Sequence, residues 1–231
     1  MKRVLAISPH LDDSVFSAGG TLAQHADAGD EVTVLTCFTG NVANPSGFAL
    51  ACQIDKGLDE NVDYMALRRT EDVAACTEIG AKALHWPFLE APHRGYENAE
   101  ALFAGVHGGD AIEDELAPAL AEVMAKLQPD LVYGPWAVGN HVDHIVVRSA
   151  LERVAPEVIW WEDYPYAMRE TQPPSGIRRH TLPQQYAEQK IAATLCYESQ
   201  LGFQFGGPNK ARRTLASWRV EGFSRATFSA S

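Results

Sequence analysis

The chain has little positive charge, few cysteines and no long apolar run, and each shortage removes a class of function. Only 19 lysines and arginines stand against 30 aspartates and glutamates, a formal net charge of −11. Nucleic acids and anionic membrane surfaces select for basic protein surface, so neither is expected as a partner. A small anionic substrate held by a few cationic side chains remains compatible with this balance. Cys37, Cys52, Cys76 and Cys196 are scattered with no C-x-x-C pair, so neither a zinc knuckle nor a dithiol redox motif is expected. Reduced thiols in a cytoplasmic protein are the simplest reading. The apolar stretch after Met1-Lys2-Arg3 ends at Ser8-Pro9-His10, too short for a signal-peptide core or a membrane span. A G-x-G-x-x-G fingerprint is also missing after the first apolar stretch; Ser17-Ala18-Gly19-Gly20 comes too late. That weakens a non-hydrolytic Rossmann-type module for sugars or nucleotides. No repeat, low-complexity block or linker divides the 231 residues, of which 46% are hydrophobic, so one domain over 1–231 is expected.

What is present reads as alternating strands and helices. Val4-Leu5-Ala6-Ile7 predicts a buried first strand, residues 14–28 a helix, and residues 31–36 a second strand. This β-α-β opening predicts an α/β fold with a mostly parallel sheet flanked by helices. Asp12 and Asp13 are N-cap candidates for the first helix. Further helices are expected at 64–79, 111–127, about 142–154 and 184–199, and further strands at 83–86, 131–133, 158–161 and near 178–181. Residues 39–60 and 87–110 read as long loops, and the chain after Gly202 has no clear period.

Two polar clusters follow predicted strands. His10, Asp12 and Asp13 leave the first, and Asn140-His141-Val142-Asp143-His144 lies beyond the fourth. Ligands of open α/β sheets bind at the carboxyl ends of the strands. A hydrolytic zinc site needs three nitrogen or oxygen ligands and an open position for water, with a free carboxylate as base and a donor for the developing oxyanion. His10 and Asp13 are close enough in sequence to aim at one point, and His144 could supply a third ligand. Asp12 then suits the base, His141 the oxyanion donor, and Asp143 the orientation of a histidine. A His/Asp/His set also suits Fe²⁺ or Co²⁺.

The run Pro9-His10-Leu11-Asp12-Asp13 with Gly19-Gly20-Thr21, and the H-x-D-H group at 141–144, resemble the two signatures of the LmbE-like (PIG-L) deacetylases. Arg68 with Glu71, Lys190 with Tyr197-Glu198-Ser199-Gln200, and Glu221-Gly222-Phe223 resemble less specific family segments. The resemblance implies a Rossmann-like fold and a zinc-dependent enzyme removing N-acetyl groups from N-acetylglucosamine-type conjugates. It implies one zinc per chain on His10, Asp13 and His144, with Asp12 as base and His141 steadying the tetrahedral intermediate. Leu11 and Ser14 stand where the usual signature has proline and glutamate, a departure that bears on substrate. An amidase of the same family, cleaving a larger acyl group or a thiol conjugate, is the nearest rival.

Five residues are expected to contact substrate. Arg68 suits a hydroxyl or phosphate, although an ion pair with Glu71 or Asp72 competes for it. Arg94 and Tyr96 lie in a polar, aromatic loop. Trp136 suits stacking on a sugar ring. Tyr164 or its neighbour Tyr166 is expected beside the pocket, with Tyr164 taken as the candidate. His25, His85, His107 and His180 lack partners at ligand spacing. Oligomeric state is left open, homo-oligomers included.

Overall fold

The computed structural model describes residues 1–225. β1 (Arg3–Ser8), β2 (Glu31–Thr36), β3 (Lys82–His85), β4 (Leu131–Pro135) and β5 (Ile159–Trp161) pair in parallel. β6 (Arg178–Thr181) and β7 (Val220–Phe223) extend the sheet antiparallel, giving the order β3-β2-β1-β4-β5-β7-β6. The expected Rossmann-like α/β domain is therefore present, with a two-strand antiparallel extension at one edge.

The sheet is covered on both faces, as a parallel sheet must be. Alternate residues of β1 point to opposite faces. Val4 and Ala6 pack with α1 (Asp13–Asp27), α3 (Tyr64–Glu78), α6 (Gln184–Leu195), α7 (Glu198–Phe205) and α8 (Pro208–Ser217). Leu5 and Ile7 pack with α4 (Ile112–Leu127) and α5 (Val142–Val154). The chain runs outward from β1 through β2 to β3, then returns to place β4 on the other side of β1. That reversal opens a crevice between the carboxyl ends of β1 and β4. Both polar clusters sit there.

Four expectations need correction. Residues 39–60 include a helix, α2 (Gly47–Ile54); its apolar residues lie on every side and Gln53 is its only buried residue, so no one-sided stripe marks it. The helix expected at 184–199 breaks at Cys196-Tyr197 into α6 and α7. The break lets Ser199 donate to Glu71 through its N–H at 2.7 Å and its hydroxyl at 2.6 Å, while Tyr197 Oη donates to Asp72 at 2.7 Å. These tertiary bonds override the continuous helical pattern. The loop at 87–110 is anchored inward by Arg94, described below. Finally, the Asp12 side chain makes no capping bond to α1, and its backbone φ is +141°.

The weaker family segments prove to be fastenings. Glu221, on β7, accepts from the N–H of Gly20 at 2.9 Å, the N–H and hydroxyl of Thr21 at 3.0 and 2.6 Å, and Lys190 Nζ at 2.9 Å. Every member is buried. Gly20 is required for close approach, because a Cβ there would collide with Leu182. No helix among the described residues is long and apolar enough to cross a membrane.

Candidate active site

Asp12 occupies a backbone conformation that L side chains rarely adopt, at a cost of about 1–3 kcal/mol. The surroundings impose it. Leu11 is fully buried, its carbonyl accepts from Arg68 Nη2 at 2.9 Å, and the Asp12 carbonyl accepts from Phe16 N–H at 2.9 Å. Ser8 Oγ donates to the His10 carbonyl at 2.8 Å and accepts from Ser14 N–H at 3.1 Å. The turn between β1 and α1 is thereby fixed with His10, Asp12 and Asp13 along the crevice.

The second segment arrives from β4. Ala137, Gly139 and Asn140 have φ of +66°, +88° and +62°, and this tight loop delivers His141 to the N-terminus of α5. His10 Nδ1 lies 3.1 Å and His144 Nε2 3.2 Å from Asp13 Oδ2. One ligand atom from each of these three residues falls within 4.8 Å of the others. His144 Nε2 is buried and makes no hydrogen bond. Two imidazole nitrogens and a carboxylate directed at one point, one nitrogen otherwise orphaned, fit a divalent cation.

The far side of each imidazole is held by a carboxylate, an arrangement that fixes ring orientation and raises ligand basicity. His10 Nε2 meets Asp143 Oδ2 at 2.9 Å, and His144 Nδ1 meets Asp163 Oδ1 at 2.8 Å. Asp143 also accepts from Ala91 N–H at 3.0 Å and Arg94 Nη1 at 2.8 Å. Asp163 also accepts from Val138 N–H at 2.7 Å. Burial works against ionisation of Asp143, but the bond to His10 and the charges of His10 and Arg94 hold its carboxyl far below the usual range. His10, His141 and Asp143 form a second convergent group. Asp143 is already bonded by three donors, so the first group is the better cation cage.

Asp12 and His141 flank that cage. Burial pushes the Asp12 carboxyl up to about 7; Arg68, whose Nη2 is 3.6 Å from its Oδ2, opposes the rise and Asp13 adds to it. Burial and the neighbouring His10 pull His141 down to about 3, which keeps its ring neutral. Its Nδ1 accepts from Asp143 N–H at 3.2 Å, leaving the proton on Nε2. His10, Asp12, Asp13 and His141 all line a pocket of about 230 Å³ with Arg68 and Tyr166. A larger depression of about 630 Å³ lies across α2 and shares Cys52, Tyr64, Glu90 and Pro92 with it. The smaller pocket is the candidate site, because His10, Asp12, Asp13 and His141 stand in its wall and His144 meets Asp13 behind it.

Of the five expected contacts, only Arg68 lines this pocket. Its partners are Glu90 at 2.6 Å and Asp12, not Glu71 or Asp72. Arg94 lies beneath the site, bonded to Asp143 and to both oxygens of Asp110 at 3.2 and 2.9 Å. Tyr96 is buried and donates to Asp110 at 2.9 Å. Trp136 faces a different depression, with the Arg148 guanidinium 4.3 Å from its ring centroid. Tyr164 is buried in the core against Phe205, and Tyr166 takes the place beside the pocket. Polar and aromatic side chains in loops suggest contacts, but partners elsewhere in the fold claimed these four. Sequence reasoning missed Asp163; its position just beyond β5, the next parallel strand after β4, was the available signal.

A match to the PIG-L family, described as GlcNAc-PI de-N-acetylase, covers residues 5–155. The chain belongs to the PIG-L family. Among relatives, it is 32% identical over 170 residues to a 2'-N-acetylparomamine deacetylase of Streptomyces fradiae, covering 71% of this chain and 58% of that protein. The chain thus spans somewhat more than half of that curated relative's length. Among solved structures, the A40926 pseudoaglycone deacetylase Dbv21 superposes with a TM-score of 0.76 at 32% identity, over 96% of each chain. The zinc-inhibited form of teicoplanin deacetylase Orf2 gives 0.77 at 29% identity, over 97% of this chain and 98% of that one. These neighbours cover nearly the whole chain, a longer stretch than the family match.

Proposed function

We propose that this PIG-L protein is a zinc-dependent hydrolase that removes an N-acetyl group from an amino-sugar conjugate, and that its catalytic domain spans residues 1–231. The observation that carries the reading is the convergence of His10, Asp13 and His144 beside a buried, strained Asp12 and a neutral His141. The deacetylases among its relatives and structural neighbours support the same reaction.

In this reading His10, Asp13 and His144 hold the ion. Once bound, zinc lowers the pKa of a water and polarises the amide carbonyl. Asp12 accepts the proton of the attacking water, a role suited to a carboxyl whose affinity for protons is raised by burial. Arg68, with Nη2 3.6 Å from Asp12 Oδ2, holds that carboxylate in place at the pocket wall. His141 donates from Nε2 to the carbonyl oxygen as negative charge gathers there. Asp12 then returns its proton to the departing amine nitrogen, releasing acetate and a free amino sugar. The approximately 230 Å³ pocket suits a small acyl group and one sugar ring, which favours acetyl over a long acyl chain.

The deciding experiment is acetate release from N-acetylglucosamine glycosides by purified protein of measured metal content. Release that needs about one zinc per chain and disappears in Asp12→Asn supports the assignment. Zinc-loaded protein releasing longer acyl groups but no acetate would transfer it to the amidase reading.

A further inference from the structure

The pocket has two cationic side chains in its wall, and they differ in how far they are committed. Arg68 is consumed by Glu90, the Leu11 carbonyl and Asp12. The side chain of Lys56, just beyond the end of α2, forms one hydrogen bond, from Nζ to the Cys52 carbonyl at 2.8 Å. No carboxylate lies within ion-pair distance of it among the described residues, although its neighbour Asp55 borders the same pocket. Nζ instead sits between two aromatic rings, 5.4 Å from the centroid of Tyr64 and 5.1 Å from that of Phe203. An ammonium carries three donors, so two stay uncommitted here.

Apolar side chains share the pocket with Lys56. Phe48, Leu102, Phe103 and Phe203 line the same pocket, and Phe103 and Phe203 are 43% and 61% exposed. Large aromatics left this open at a pocket rim are suited to cover part of a ligand. Burial and the charge of Arg68 pull the lysine below its ordinary range, while Glu90, Cys52 and Asp12 act in the other direction. The ammonium is thus partly dehydrated without a bound counter-charge.

We propose that Lys56 is a specificity-determining residue that receives a carboxylate on the apolar portion of the substrate attached to the amino sugar. The proposal rests on the deacetylase reading of the pocket. The acetamide goes to the cage, the aglycone lies against Phe103 and Phe203, and its carboxylate completes the two open donors of Lys56. A charge-assisted bond in a partly dehydrated site adds affinity that an uncharged congener cannot gain.

The test is direct binding by calorimetry, using zinc-loaded protein silenced by Asp12→Asn. The ligands are the para-carboxyphenyl and para-tolyl glycosides of N-acetylglucosamine, which differ in one charged group. The carboxylate is expected to bind about tenfold more tightly, with a preference that shrinks as salt rises. Lys56→Met should erase the preference and Lys56→Arg retain it. A structural strut would weaken both ligands alike and leave their ratio in place. Equal affinity for the two glycosides, a ratio that survives Lys56→Met, or no binding of either overturns the proposal. Acetate release by the unsubstituted protein is scored separately. Charge-selective binding without acetate release would sink the deacetylase reading and leave the Lys56 assignment standing.

Discussion

Asp143 Oδ2 meets His10 Nε2 at 2.9 Å although the two residues are 133 positions apart in the chain. The contact locks one imidazole of the candidate metal cage from behind. Asp143→Asn keeps the shape but loses the charge that favours the ligating tautomer. Zinc affinity should fall about 10- to 100-fold, measured by competition with a chromophoric chelator. Undiminished affinity would remove Asp143 from the support of the cage.

Asp163 makes the equivalent contact with His144 and also holds the Val138 backbone. Asp163→Ala should reduce zinc occupancy to a similar degree. It should also lower the melting temperature of the metal-free protein, because Val138 N–H loses a buried partner. A loss confined to the zinc-loaded form would restrict Asp163 to the metal.

Asp12 and His141 should separate chemistry from metal binding. Asp12→Ala should lower kcat by about 10²–10⁴-fold, and His141→Ala by roughly 10²–10³-fold. Both should retain near-normal zinc by elemental analysis. Parallel loss of zinc and turnover in His141→Ala would make that histidine a ligand instead.

Arg94 and Asp110 give a prediction with a defined pH sign. Burial works against the Asp110 carboxylate, but its bonds and charge interaction with Arg94 bring its value below the ordinary 3.8. A carboxylate lowered on folding adds stability that is present above 3.8 and is lost as pH falls toward the folded value. Asp110→Asn should therefore cost roughly 2 kcal/mol near neutral pH and less once the pH is brought below 3.8. Denaturant melts at the two pH values measure this, and an equal cost at both contradicts it.

Neither member of the Lys190–Glu221 pair lines the pocket, and the pair should affect stability alone. Lys190→Met leaves Glu221 buried with its charge uncompensated, at a cost of about 3 kcal/mol or roughly 10 °C in melting temperature. Zinc content should not change in the folded protein.

The convergence of the candidate site was legible because its residues are grouped locally. His10, Asp12 and Asp13 share one turn, His141, Asp143 and His144 share another, and each turn follows a strand whose pattern is plain. The sheet order then joined the two turns at one crevice. Asp163 was harder to read, since its place just beyond β5 is its one local mark and its meaning comes from lying across from His144. Arg94, Tyr96, Trp136 and Tyr164 were misplaced for a related reason. Their residue types suit a binding surface, but burial and partners distant in sequence decide whether such a side chain reaches the ligand. β7 and α8 escaped notice because a four-residue strand and a polar ten-residue helix carry too short a pattern.

Helix α2 contributes a single buried side chain to the molecule, yet it stands between the candidate pocket and the wider basin beside it. Substitutions on its other side chains are consequently expected to cost little stability. New side chains there can reshape what the protein accepts while the sheet and the cation cage keep their integrity. Adaptation to a new molecule can begin in this segment with little thermodynamic penalty.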